Sequence, residues 1–223
     1  MSGVRIASHA GSWYVAEPDG LERDLDKYLD AVPEQINDSH LPIKGARVII
    51  APHAGYSYSG PCAAWAYKVL DLSAAKRVFV LGPSHTYYLS GAALTTYATY
   101  TAYTPDGSEA AVRSLTRRDA PSDLPVPIHE SISALDHMAM DAIESGSHDA
   151  FFDNLKATGN TVCGRHPIGV VMAGLEALRK EKAGSSSGVK GDGVFTFVKY
   201  DRSSLVNGLR DSSVSYGSAY AII

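Results

Sequence analysis

The sequence predicts a single α/β domain, with a mostly parallel central sheet flanked by helices. Two apolar runs rich in β-branched residues, 46–51 and 77–81, each stop at a proline-containing turn, as expected of strands buried on both faces of a sheet. A helical segment between them completes a strand–helix–strand unit. The chain has 223 residues, which is enough for one such domain over residues 1–223.

The other elements are predicted from apolar spacing and from capping residues. Helices are expected at 18–32, 61–70, 131–144, 147–159 and from Pro167 onward. For the fourth of these, Ser147 is the expected N-cap and Gly159 the expected C-terminal end. Further strands are expected at 91–97, 194–200 and 214–223. The segment 184–193 is rich in glycine and serine, a composition typical of a flexible loop.

Composition narrows the functional classes. The formal net charge is −4 and no stripe of basic residues is visible, so nucleic acid is not an expected partner. No apolar run approaches the roughly 18 residues of a membrane span, so none is expected. Two cysteines do not form a disulfide framework. A reducing compartment is therefore expected, namely the cytoplasm and also the nucleus.

Two histidines occupy matching places after the first two predicted strands. His53 follows the run Val-Ile-Ile-Ala-Pro, and His85 follows Val-Phe-Val-Leu-Gly-Pro-Ser. Ligands of open α/β sheets bind at the carboxyl ends of the strands, so neighbouring strands would bring the two imidazoles to one crevice. Histidine is the commonest side-chain metal ligand and also a general base. The alternative is that each ring only hydrogen-bonds a loop backbone.

Cys163 lies just before the helix expected at Pro167, where the partial positive charge of a helix N-terminus favours a thiolate. Arg165 and His166 add cationic character. The alternatives are a buried structural cysteine and, less favoured because no oxyanion-hole motif is visible, a cysteine hydrolase that uses His166. With His53 and His85, the thiolate would complete a three-ligand site for iron, copper or zinc with an open position.

Aromatic residues beside these positions are candidates for lining a pocket. The segment His9-Ala-Gly-Ser-Trp-Tyr14 has the character of a binding loop, although Trp13 and Tyr14 could instead pack in the core. Tyr58 follows His53 closely enough to place its hydroxyl at a pocket mouth. His9, Arg165 and His166 are further candidates for the wall of this pocket. Such a pocket would suit a peptide or a phosphotyrosine-like group.

Five segments together resemble the signature motifs of the Memo family, in the family's order. They are His9–Tyr14, Ile50–Tyr58, Leu81–His85, Asn160–Gly169 and Asp211–Tyr216. The resemblance implies a fold like that of the class III extradiol dioxygenases, with an iron or copper ion bound at positions matching His53, His85 and Cys163. It places Trp13 and Tyr58 in the pocket wall. It also implies a redox-linked role and receptor-driven signalling in cell motility, with a phosphopeptide or signalling protein as partner.

The sequence also departs from the family pattern. The family carries a long block before the helix matching residues 129–144, with a Glu-His-Ser-x-Glu segment and a Ser-Asp-Phe-Cys-His-Trp-Gly segment that do not occur here. We expect the junction near residues 97–103 and the loss of at least two central strands. Three functions follow as hypotheses: a metal-binding protein with dioxygenase-like or oxidoreductase chemistry, a non-enzymatic peptide-binding module with a vestigial active site, and a truncated isoform without function.

Overall fold

A computed structural model describes residues 3–100, 127–183, 193–208 and 210–223. The described residues form a mixed α/β protein. Its helices are α1 (Pro18–Asp30), α2 (Tyr56–Val69), α3 (Ile128–Glu144), α4 (His148–Thr158) and α5 (Arg165–Ala183). Its strands are β1 (Val4–Arg5), β2 (Gln35–Ile36), β3 (Ser39–His40), β4 (Ala46–Ile50), β5 (Thr99–Tyr100), β6 (Phe195–Arg202) and β7 (Ser215–Ile222). In this part of the chain no helix is long and apolar enough to cross a membrane.

The largest sheet described has three strands in the order β4–β7–β6, and both pairings are antiparallel. The expectation of a mostly parallel central sheet is therefore not met in the described residues. Parallel pairing occurs there between the two-residue strands β1 and β5. The strand predicted at 46–51 is present as β4, but its neighbour is the last strand of the chain rather than the next one.

Helices cover both faces of the three-stranded sheet. Along β4, Val48 and Ile50 pack into a core with α3, α4 and α5, whereas Ala46 and Ile49 pack into a second core with α1 and α2. Neighbouring residues of β7 divide in the same way, as the alternation of strand side chains requires. The strand β4 is thus covered on both faces, as its continuous apolar sequence predicted.

Helices α1 and α2 pack closely at a glycine. A Cβ atom at Gly60 would lie 2.6 Å from the ring of Tyr28, so any larger residue here would displace this tyrosine. Near the other end of α2, the Lys68 ammonium donates to the carbonyl oxygens of Leu29 and Val32, at 3.2 and 2.9 Å. These bonds join α2 to the last turn of α1 and to the segment that follows it. The helix α2 begins at Tyr56, five residues before its predicted start.

The caps predicted for α4 are confirmed. The Ser147 hydroxyl oxygen accepts a hydrogen bond from the Ala150 amide at 3.2 Å, as an N-cap serine does. The helix ends at Gly159, whose φ of 65° is the left-handed conformation favoured by glycine. The helices predicted at 131–144 and near Pro167 are also present, and each begins two or three residues earlier than predicted.

The strands predicted at 77–81 and 91–97 are wrong. Both segments lack regular secondary structure, and Val78, Phe79 and Val80 are 75%, 81% and 90% exposed. An apolar, β-branched run forms a strand only where a partner strand and a packing surface are available, and here neither is described. The predicted loop at 184–193, except Gly193, and the junction at 101–103 lie outside the described residues.

Candidate functional site

The loop that carries His53 joins the end of β4 to the start of α2. The sheet fixes its beginning at Ile50, and the N-cap Gly55 fixes its end. The aromatic loop near the N-terminus braces it, because the Trp13 carbonyl accepts a hydrogen bond from the Tyr56 amide at 2.7 Å. The rings of Tyr14 and Tyr56 stack with centroids 5.0 Å apart. Two of the motifs recognised in the sequence thus support one another.

His53, His85 and Cys163 lie together. The Nε2 atom of His53 is 3.1 Å from Nε2 of His85 and 3.5 Å from Sγ of Cys163. His53 follows a strand as predicted, whereas His85 reaches it from an irregular, exposed segment. Cys163 lies two residues before α5, as expected. The cysteine pairs with His53 rather than with His166, which does not favour the cysteine-hydrolase alternative.

The protonation of this group departs from the expectation for Cys163. Burial raises the pKa of its thiol, although the adjacent backbone amides and Arg165 act in the opposite direction. Cys163 is exposed as a residue, but surrounding protein desolvates its sulfur enough that a thiolate would be only partly hydrated. The pKa of His53 is lowered, first by burial and then by His85. A thiol and a neutral imidazole are therefore favoured.

The donor atoms suit a soft or borderline metal ion. Two nitrogens held at about 2.05 Å on one tetrahedral ion lie roughly 3.3 Å apart, and a nitrogen and a thiolate sulfur about 3.5 Å apart. The two distances from His53 are close to these values. However, among the described residues no group of three or more His, Cys, Asp or Glu side chains is arranged to hold a metal ion. Both close contacts involve the same His53 nitrogen. The three donor atoms would therefore have to rearrange around a bound ion.

A cavity of about 170 Å³ adjoins the group. Its wall includes His53 and Cys163, together with apolar side chains from α3, α5 and β6, namely Ala139, Met140, Ile143, Ile168 and Phe197. The wall also contains a second polar group, Asp136, Tyr200 and Ser215, which the sequence reasoning missed. The detectable signal was the position of Asp136, a carboxylate in line with the apolar residues of α3.

The pocket residues predicted from the aromatic motifs take other places. Trp13 stacks on His9 with ring centroids 4.6 Å apart, and neither is part of this cavity wall. Tyr58 is 61% exposed and lies near Tyr216, which lines the cavity and whose pKa is raised by burial and then by Tyr58. It is therefore near the cavity rather than in its wall.

Arg165 and His166 form the first residues of α5 and do not line the cavity. Arg165 donates a hydrogen bond to the Val162 carbonyl at 3.2 Å, so its guanidinium is used within its own loop. His166 is exposed. Of the five pocket residues predicted from the sequence, the structure brings none into the cavity wall, and it places Arg165 and Tyr58 beside residues that form it.

Comparisons with known proteins match nearly the whole chain. A protein memo-1 homolog of Caenorhabditis elegans is 30% identical over an alignment that covers 99% of this chain and 83% of the relative. Protein MEMO1 of Xenopus laevis is 31% identical, covering 100% of this chain and 98% of the relative. The human protein of the same name is 31% identical, with 96% of both chains covered.

The same comparisons show that positions of the relatives have no counterpart in this chain. The alignment with the Xenopus laevis protein is 307 residues long, although this chain has 223, so at least 84 aligned positions have no residue here. The model of the family described as Memo-like protein matches in two pieces, residues 5–112 and 103–220. The two pieces overlap at residues 103–112, next to the junction expected at 97–103. Together these matches show that the chain belongs to the Memo-like protein family.

Proposed function

We propose that this chain binds iron or copper through His53, His85 and Cys163 and serves a redox-linked role in signalling. The observation that supports it is the convergence on His53 Nε2 of a second imidazole at 3.1 Å and a sulfur at 3.5 Å. The three residues come from positions separated by 32 and 110 residues in sequence, so local chain geometry does not explain their meeting.

The ligand types favour some metals over others. Imidazole nitrogen suits zinc, copper and iron, and a thiolate makes magnesium or calcium poor candidates. Zinc remains a third candidate for the same donor set. With three protein ligands, a bound ion would keep a position open for water, oxygen or substrate, which is the chemistry that a dioxygenase-like protein or a metal-dependent oxidoreductase uses.

The residues of the chain would prepare this site in two ways. Burial favours the neutral form of His53, and only a neutral imidazole nitrogen can accept a metal. Cys163 must lose its proton on binding, and its raised pKa makes affinity rise with pH. The exposed segment that carries His85 would have to hold its ring in place, because that segment has no partner strand among the described residues.

The extradiol-dioxygenase-like fold implied by the family is part of this proposal. Strand β4, covered by helices on both faces and followed directly by His53, supports it. The antiparallel order of the three-stranded sheet and the absence of residues at 84 or more aligned positions weigh against a complete version of that fold. A loss of central strands would account for both observations. Turnover in this chain would therefore be impaired even where the metal is bound.

The test is metal content, measured by mass spectrometry on protein purified from medium supplemented with iron, copper and zinc. We expect close to one iron or copper ion per chain in the wild type and loss of that ion in His53→Ala, His85→Ala and Cys163→Ala. His40→Ala is the matched control, since His40 is exposed in a hairpin and bonds only its neighbour Gln35 in the described contacts. Metal that is absent, or that survives all three substitutions, would overturn the proposal.

A further inference from the structure

Three side chains from different elements meet in the cavity wall, apart from the proposed metal ligands. Asp136 belongs to α3, Tyr200 to β6 and Ser215 to the start of β7. The Tyr200 hydroxyl donates to Asp136 Oδ2 at 2.8 Å, and the Ser215 hydroxyl donates to the same oxygen at 2.5 Å. We call these three residues the Asp136 group. The Asp136 group thus joins α3 to two strands of the sheet.

The hydrogen bonds within the Asp136 group use up its protons. A tyrosine and a serine hydroxyl each have one proton to donate, and an ionised carboxylate has none. Both hydroxyl protons go to Asp136. The second carboxylate oxygen of Asp136 is therefore an acceptor only, while the Tyr200 hydroxyl also lies within hydrogen-bond reach of the Ser133 and Ser215 hydroxyls. A ligand that docks here must supply the proton.

The charge of Asp136 is not balanced by a neighbouring cation. Among the described residues it has no ion pair with a lysine, arginine or histidine. The Arg202 guanidinium lies 5.9 Å from the Tyr200 ring but donates to the His129 carbonyl at 2.6 Å. His137 meets the edge of the same ring and is bound to the Ser133 carbonyl at 2.7 Å. A cationic donor is thus the ligand group that complements this carboxylate best.

The remainder of the wall selects the body of the ligand. Ala139, Met140 and Ile143 follow Asp136 along one face of α3, and Ile168 and Phe197 add further apolar surface. A cavity of about 170 Å³ lined in this way favours a small apolar body over a peptide. We propose that the Asp136 group binds the ammonium end of a small amine, whose apolar body occupies the cavity that His53 and Cys163 also line.

This inference adds a ligand class to the cavity of the proposed function and rests on that function in this respect alone. The amine site itself needs no metal. The test uses metal-free protein and n-butylamine, which is cationic at pH 7, with n-butanol and butyrate as neutral and anionic counterparts. Binding is followed by perturbation of backbone amide signals in NMR spectra. We expect n-butylamine to bind, and both counterparts to bind at least tenfold more weakly.

Variants decide whether the Asp136 group is responsible. Asp136→Asn removes the charge at nearly constant shape, and we expect at least a tenfold loss of affinity for n-butylamine. Asp153→Asn is the matched control, since Asp153 is exposed on α4 and pairs with Lys156. Should Asp136→Asn fail to fold, Ser215→Ala is the second variant, with a several-fold loss of affinity for n-butylamine expected. No binding of n-butylamine, equal binding of n-butanol, or full affinity in the folded variants would overturn the inference.

The two proposals can fail separately. His85→Ala is expected to lose metal and keep its affinity for n-butylamine, because His85 is a proposed metal ligand that does not line the cavity. Asp136→Asn is expected to keep metal and lose that affinity. Amine binding in a protein that never holds metal would uphold the inference and reject the proposed function. A protein that loads metal but does not bind n-butylamine would uphold the proposed function and reject the inference.

Discussion

The Nε2 atoms of His53 and His85 lie 3.1 Å apart, although 32 positions separate the two residues in sequence. At this distance one nitrogen donates a hydrogen bond and the other accepts it, so only one of the two Nε2 atoms can be protonated. Charging both rings would place like charges in contact, and His85 is accordingly the second cause, after burial, of the lowered pKa of His53.

The first prediction concerns the pH dependence of this pair in metal-free protein. A histidine whose pKa is lowered by folding binds its proton more readily in the unfolded chain, so stability should fall as the pH drops from about 6.5 toward the folded pKa of His53. His85→Ala removes one of the two causes. We expect it to raise the pKa of His53 part of the way toward 6.5, as followed by NMR titration of the ring protons.

A pKa of His53 that falls, or stays the same, in His85→Ala would mean that the two rings are not in contact in solution. His40→Ala provides the control, since its ring is bonded to Gln35 in the hairpin and should leave the pKa of His53 unaltered.

The second prediction concerns the two thiols. Cys62 is fully buried in α2, bonds Ser218, and has a pKa raised by burial to about 11, so about one thiol in a thousand is ionised at pH 8. Cys163 is exposed. We expect iodoacetamide to add one group per native chain and two in urea, as read by intact mass. Cys163→Ser should take up none while native. Equal labelling of both thiols in the native protein would contradict the burial of Cys62.

The third prediction concerns the cap of α4. Ser147→Ala leaves the Ala150 amide without its side-chain acceptor and should lower the free energy of unfolding by about 1 kcal/mol. Ser147→Asp keeps an acceptor at the helix N-terminus and should cost much less. Urea unfolding of the two variants beside the wild type gives the comparison. Equal losses in both would show that the hydroxyl acts through some contact other than the cap.

The sequence predicted those features of the fold that depend on residues close together in the chain. The cap at Ser147 and the left-handed Gly159 follow from side-chain chemistry within one turn of helix, and the strand 46–51 follows from its composition. Pairing is not local. Composition alone could not show that β4 would pair with β7, some 170 positions later, nor that both pairings would be antiparallel.

The candidate site likewise contains residues that the sequence predicted and residues that only tertiary packing brings together. His53, His85 and Cys163 were predicted from motifs, and they do lie together. The Asp136 group was missed because its members are ordinary residues in three separate elements, joined only by tertiary packing. The thiolate expected at Cys163 is also not favoured, since burial outweighs the nearby amides and Arg165 and raises the pKa of this thiol.

The last prediction tests the largest disagreement between sequence and structure, the segment 77–81. With Val80 at 90% exposure, Val80→Lys places a charge in solvent and should change the free energy of unfolding by no more than about 0.5 kcal/mol. It should also lower the binding of a hydrophobic dye and the tendency to self-associate, because an exposed apolar segment promotes both. Val69→Lys is the matched control: Val69 is fully buried, and a charge there should prevent folding. If Val80→Lys proves as damaging as Val69→Lys, the segment is a buried strand, as its sequence indicates, and the sheet gains a neighbour beyond the three strands described.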